Sequence, residues 1–372
     1  MSDVIVLGAG AAGLAVAAQL KSRGVEPVVL ERGPGVASSW RGRYDRLKLH
    51  TTRRLSGLPG FPIPRAYGRW VRRDDLVRYL EAYADRFGLD VRTGTTVTGV
   101  KAGADGWILR LLDGSEQAAR TLVVATGYLH TPVVPPWPGR EQWTGELTHS
   151  ADYRNAEPFR GKDVLVVGPG NSGAEIASDL AAGGAAAVSL AIRTPPQIVR
   201  RQTAGWPAQL SGVLLGGWLP EPMFNAMAAA QSRAEIPDLR PYGIPRPATG
   251  LKTRLRTERY VPLQDVGIVR DVRAGRVRPV AAVERFTESS VLLADGTSVQ
   301  PDAVIAATGY GTGLRDLFDD PALFDETGVP HVHGGAAARP GLYFVGYDVT
   351  LGGMLRQGAL ESRRVARAIA QA

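Results

Sequence analysis

Two stretches of this chain, "DVIVLGAGAAG" at 3–13 and "DVLVVGPGNSG" at 163–173, share one pattern: an apolar run ending in Gly-x-Gly-x-x-Gly. An unbroken apolar run suits a central parallel strand covered on both faces. An alanine-rich helical segment follows each, "AAGLAVAAQLKSRG" and "SGAEIASDLAAGG", and then a second β-rich run, "EPVVLER" and "AAVSLAIR". In the sequence strand, turn, helix, strand, the first glycine turns the chain. The second lets backbone approach a pyrophosphate, and the third lets helix pack on strand. The helix N-terminus then presents amides to the phosphate charge. One such loop is compatible with a structural turn. Two in full context predict an α/β chain of two Rossmann-like dinucleotide-binding domains.

The echo continues downstream. "WILRLLDGSEQAARTLVVATGY" and "SVLLADGTSVQPDAVIAATGY" both read strand, Asp-Gly turn, strand, then Ala-Thr-Gly-Tyr. Ala125 lies twelve positions after Asp113, and Ala307 twelve after Asp295, so the same architecture is built twice. The Asp-Gly pairs predict tight hairpins, because both residues tolerate positive φ. The expected organisation is a first domain over 1–158, a second inserted in sequence over 159–315, and a return to the first over 316–372. An irregular apolar insertion is expected at 195–262.

Composition excludes several classes. The 372 residues suffice for two full cores, with 44% hydrophobic and 22% charged residues. With no cysteine there is no disulfide framework, thiolate metal site or dithiol redox chemistry, and no metal site is expected. The net charge of +8 comes from scattered arginines, since only five of 44 basic residues are lysine. No basic cluster interleaved with aromatics points to nucleic acid. The apolar stretch 205–224 is broken by Pro207, Pro220, Glu221 and Pro222, too interrupted for a membrane span. The first strand begins at Asp3 with no signal peptide before it, so a cytoplasmic protein is expected. Oligomeric state is not legible.

The two units end their second strands differently. Glu31 is placed to accept hydrogen bonds from a ribose diol, whereas Arg193 suits a 2′-phosphate, with Arg200 and Arg201 nearby. The contrast predicts FAD in the first loop and NADPH in the second. A surface role for Arg193 is the alternative.

"WTGELTHSADYRN" resembles the fingerprint of class B flavin monooxygenases, aromatic-x-Gly-x-x-x-His-x-x-x-Tyr-basic, through Trp143, Gly145, His149, Tyr153 and Arg154. "YDRLKLHT" (44–51), "YGIPRPATG" (242–250) and "LQDVG" (263–267) resemble its YUCCA-like branch more specifically. The resemblance spans essentially the whole chain. It implies that NADPH reduces FAD, that dioxygen adds at flavin C4a, and that the hydroperoxide oxygenates a small substrate. Gly8, Gly10, Ala12, Gly13, Glu31 and Arg32 would hold FAD, with Trp40 and Val97 flanking it. Gly168, Gly170, Asn171, Ser172, Gly173 and Arg193 would hold NADPH. Thr126 and Gly127, and Thr308 and Gly309, would line the crossings between domains. Asp348 and Leu351 belong to a tail loop beside the isoalloxazine, followed by a helix aimed at its pyrimidine edge. His50 would be the catalytic side chain nearest the flavin, where many relatives have asparagine; a structural histidine is the other reading. His149 is expected to be an interdomain brace.

Trp206, Leu214, Leu215, Trp218, Met223 and Phe224 are candidates for a water-excluding substrate wall, or for a buried or membrane-touching helix pair. The reaction is either oxidative decarboxylation of an α-keto acid or oxygenation at nitrogen or sulfur. A non-thiol NADPH-dependent flavoprotein reductase or oxidase is the alternative enzyme, and a nucleotide-occupied sensor the non-catalytic one.

Overall fold

The structure, a computed structural model, describes residues 2–372. The chain divides into two compact units. One comprises residues up to Gly42 with Leu47–Thr131 and Tyr310–Ala372; the other comprises Arg43–Arg46 and Pro132–Gly309.

In the first unit, the strands Asp90–Arg92, Val28–Leu30, Ser2–Leu7, Glu116–Val124 and Leu342–Phe344 lie side by side and parallel. Val6 sits between Val29 and Val123. The apolar run at 3–7 alternates its side chains between two cores. Val4 and Val6 join a cluster with Leu14, Tyr79, Tyr83 and Val365, while Ile5 and Leu7 join Leu109, Phe318, Phe344 and Tyr347. The helix Ala11–Lys21 packs against the C-terminal helix Met354–Ala370. Small residues let them approach: a Cβ on Gly358 would come 3.5 Å from the Ala12 methyl. The N-terminal half of Glu116–Val124 continues an antiparallel meander with Val97–Gly103 and Gly106–Leu111.

The second unit has five parallel strands, ordered Arg278–Val280, Ala187–Ala191, Asp163–Val167, Ala303–Ala306, Glu146–His149. Its edge strand explains a boundary that the sequence misplaces. The chain leaves the first unit after Thr131 rather than at 158 because Glu146–His149 pairs with Ala303–Ala306, and it returns at Tyr310 rather than 316. The strap Arg43–Arg46 also belongs here. Asp45 donates its N–H to the Arg154 carbonyl at 2.9 Å and accepts from Asn155 at 2.8 Å, and Arg46 pairs with Asp179 at 3.2 Å.

At both Asp-Gly hairpins only the glycine is left-handed, with φ +84° at Gly114 and +82° at Gly296. Asp113 instead accepts from the N–H and hydroxyl of Ser115, and Asp295 does the same with Thr297. The aspartates act through their carboxylates, as Asx turns. The 195–262 region is largely ordered, with helices Ala208–Leu215, Glu221–Glu235 and Leu251–Glu258. Among the described residues no helix is long and apolar enough to cross a membrane.

Candidate functional site

The two glycine loops are superimposable in their constraints. Gly8 has φ +107° and Gly168 φ +110°; a Cβ there would meet the Ala125 carbonyl oxygen at 2.7 Å and that of Ala307 at 2.5 Å. Both partners are the alanines of the Ala-Thr-Gly-Tyr segments, which donate back to the strands before the loops: Ala125 N–H to Leu7, Ala307 N–H to Val167, both 2.8 Å. The repeated segment is therefore the wall behind each loop. Gly13 and Gly173 are tighter still, since a Cβ on either would lie 1.9 Å from the oxygen of Gly8 or Gly168. At Gly10 and Gly170 a Cβ would meet nothing within 4 Å.

That contrast is a test of fit. Two glycines per loop are required by the protein's own packing. The middle one faces open space at a helix N-terminus with no side-chain cap, where a pyrophosphate belongs. The residues present fit a dinucleotide at both loops.

In the first unit the predicted residues gather at the carboxyl edge of the parallel strands, where α/β sheets bind ligands. Glu31, 8 % exposed, accepts the N–H groups of Ala9 and Gly33, each at 2.8 Å. It thus fixes the loop and retains lone pairs for a diol. Thr95 donates to the Glu31 carbonyl at 2.9 Å, bringing the turn before Val97 to this edge. Arg32 is exposed and Trp40 half-buried. Next to Thr126 and Gly127, the Thr126 hydroxyl meets the buried Tyr347 hydroxyl at 2.8 Å. Burial pushes that phenol's pKa up.

The tail after Leu342–Phe344 leaves the same edge, carrying Asp348 and the half-buried Leu351. Gln357 donates to Asp348 at 2.7 Å, and Gly346 donates to Glu361 at 2.8 Å. Burial raises the Glu361 pKa. The sequence offers a signal for it that was missed: an acid on the buried face of a helix. His130, also missed, is pushed down to about 4 by burial and the Arg32 charge. His50 is half-buried, its ring nitrogens shielded from solvent. Its stretch hydrogen-bonds to 69–73 rather than to the glycine loop.

In the second unit Gly168, Gly170, Ser172, Gly173, Thr308 and Gly309 come together. The Asn171 amide is already committed, donating to Pro262 at 3.1 Å and accepting from the Gln264 N–H at 2.8 Å. What it offers a dinucleotide is its backbone N–H. Arg193 is exposed just beyond Ala187–Ala191, whereas Arg200 donates to the Glu235 carbonyl at 3.1 Å. Behind the loop lies a cluster the sequence did not reveal. Glu175 is 5 % exposed; burial and then the Glu175 charge raise the Tyr44 hydroxyl's pKa, while burial lowers that of Arg201 against the pull of Glu175.

The fingerprint motif is a packing device within this unit. Gly145 is required because a Cβ would sit 2.3 Å from the Trp143 ring. That ring packs edge-on to Phe286 with centroids 5.6 Å apart. His149 Nδ1 accepts the Ala151 N–H and Nε2 donates to the Gly309 carbonyl, both at 3.1 Å. Burial, its largest influence, lowers its pKa. His149 braces the second Ala-Thr-Gly-Tyr turn, an intradomain contact rather than the interdomain one expected. Tyr153 donates to Asp179 at 2.7 Å. Of the candidate wall residues, Trp218 is 87 % exposed, Trp206, Leu214 and Met223 are exposed, Leu215 is half-buried and Phe224 is buried.

Two dinucleotide folds in one chain without a cysteine define an oxidoreductase that handles two nucleotides without a dithiol relay. Residues 5–205 match the family model described as pyridine nucleotide-disulphide oxidoreductase. The chain is 37% identical over 92% of its length to 86% of "Indole-3-pyruvate monooxygenase YUCCA1" of Oryza sativa subsp. japonica. It is 33% identical over 92% of its length to 81% of "Probable indole-3-pyruvate monooxygenase YUCCA3" of Arabidopsis thaliana. A solved double mutant of the flavin monooxygenase from Stenotrophomonas maltophilia matches with TM-score 0.74 and 25% identity, covering 100% of this chain and 98% of that one. The chain belongs to the flavin-dependent monooxygenase family, in its YUCCA-like branch. It is a member of a family that depends on FAD and NADPH.

Proposed function

We propose that the first glycine loop seats FAD, the second seats NADPH, and the enzyme inserts one oxygen atom of dioxygen into a small organic substrate. The observation that carries the reading is the duplicated cradle, crowded at Gly13 and Gly173 and open at Gly10 and Gly170. Glu31 against Arg193 at the ends of the second strands supports this order of occupants. FAD, reduced by the hydride that NADPH carries, supplies the reaction with dioxygen. The protein's own groups bind, orient and shield. Glu31 holds the loop and a ribose diol, and Arg193 pairs with a 2′-phosphate. The N-terminus of Met354–Ala370 would favour negative charge on a bound flavin, and His50 would exchange a hydrogen bond with it.

The named relatives direct the first substrate choice to an α-keto acid of the indole-3-pyruvate kind. The balanced reaction is keto acid, O2, NADPH and H⁺ giving the acid one carbon shorter, CO2, NADP⁺ and water. Oxygenation at nitrogen or sulfur is the other arm of the panel. The test is NADPH consumption across that panel, with hydrogen peroxide and product quantified together. Substrate-dependent product matched to NADPH supports the proposal. Stoichiometric peroxide with every substrate, or a colourless protein that takes up no FAD, overturns it.

A further inference from the structure

Outside both glycine loops, the first unit contains an open cavity of about 440 Å³, lined by Lys48, Tyr67, Arg69, Trp70, Arg72 and Asp75 among others. Its floor is a short antiparallel pairing. Lys48 and Arg72 face each other as an isolated bridge, flanked by Leu49 N–H to Val71 O at 2.8 Å and Arg73 N–H to Leu47 O at 3.0 Å. Those flanking bonds make Lys48 and Arg72 a non-hydrogen-bonded pair, the arrangement that brings opposite side chains closest. Leu49 and Val71 point into the core, so the two cations share the opposite, cavity face.

Like charges directly opposed across strands are destabilising. The local carboxylates do not cancel them: Asp75 accepts from Arg78 at 2.6 Å, and Asp74 from Arg73 at 2.7 Å. Arg69 adds a third cation, its guanidinium 5.4 Å from the Trp70 ring centroid. Three cations and two aromatic rings line this one cavity, Tyr67 also carrying the Arg78 guanidinium 5.8 Å from its centroid, and together they specify a charge and a shape.

We propose that this cavity binds a planar aromatic anion, a ring bearing a carboxylate or a phosphate, at a site separate from both dinucleotide loops. The anion lies between Lys48 and Arg72, relieving their repulsion, and Arg69 adds to the positive field there. The ring lies against Trp70 and Tyr67.

The test uses the flavin-loaded protein without NADPH or turnover, so its failure is independent of the monooxygenase reading. Phenylacetate and phenyl phosphate are titrated by calorimetry and tryptophan fluorescence, against benzyl alcohol and inorganic phosphate. At least one aromatic anion binds about tenfold or more tightly than both controls, a difference of about 1.4 kcal/mol; the better of the two identifies the anionic group. Lys48→Met and Arg72→Met each weaken it about tenfold, and Trp70→Leu reduces it to the affinity of the ringless anion. Lys48→Glu, which places opposite charges across the strands, abolishes binding while raising the melting temperature at low salt. No binding by either aromatic anion, or binding unchanged in Lys48→Glu, overturns the proposal. So does a lower melting temperature in that variant, because the like-charge strain would then not exist.

Discussion

Replacing either of two glycines three residues apart in the second loop should have opposite consequences. At Gly173 an alanine Cβ would lie 1.9 Å from the Gly168 oxygen, where real Cβ atoms do not come closer than 3.0 Å. Relief demands a backbone shift of roughly 1 Å beside a fully buried strand, an overpacking cost of about 3 kcal/mol. For a unit of this size that lowers its melting temperature by roughly 6–12 °C. At Gly170 the backbone is extended, φ −71° and ψ 179°, and a Cβ meets nothing within 4 Å. Gly170→Ala should therefore fold with unchanged stability, or gain about 0.4–1 kcal/mol from the stiffer unfolded chain. Its methyl nevertheless occupies the approach to the pyrophosphate, and NADPH affinity should fall by roughly a hundredfold, about 2.7 kcal/mol. Scanning calorimetry, flavin content and the NADPH dependence of flavin bleaching measure the three quantities. A yellow, stable Gly170→Ala protein bleached by NADPH at wild-type concentrations would refute the assignment of this loop as a nucleotide seat.

Arg193→Ala should raise the KM for NADPH about ten- to a hundredfold, the worth of a hydrogen-bonded charge pair, and leave NADH unchanged; equal losses for both cofactors would remove Arg193 from the 2′-phosphate. His50→Ala should raise the fraction of NADPH lost as peroxide, measured alongside product; unchanged coupling leaves the histidine a structural one. His130, held to about 4 by burial and then Arg32, binds fewer protons folded than unfolded. Its contribution to stability is complete above pH 6.5 and is lost as pH falls from 6.5 to 4. The melting-temperature gap between the wild type and His130→Gln should follow that window, and a pH-independent gap would contradict it.

Much of the site was legible because its chemistry is local in sequence. The glycine loops, Glu31, Arg193 and the Ala-Thr-Gly-Tyr repeats all lie within or beside strand–turn–helix units whose period and punctuation declare them. The errors arose where partners are distant. The boundary at 158 failed because an edge strand, Glu146–His149, pairs with residues far along the chain. The Asp-Gly turns were placed correctly, and the structure adds that only the glycine takes positive φ while the aspartate carboxylate accepts two hydrogen bonds.

From the amino acids alone came the two dinucleotide-type folds, the family they belong to and the absence of thiols, because each depends on residue type at short spacing. Only the tertiary structure decided which glycines packing dictates and which face open space. It alone committed the Asn171 amide to Pro262 and Gln264, bound Arg43–Arg46 to the second unit, and opposed Lys48 to Arg72. These are meetings of residues separated by tens of positions, and no local pattern records which distant backbone oxygen or like charge a side chain will face.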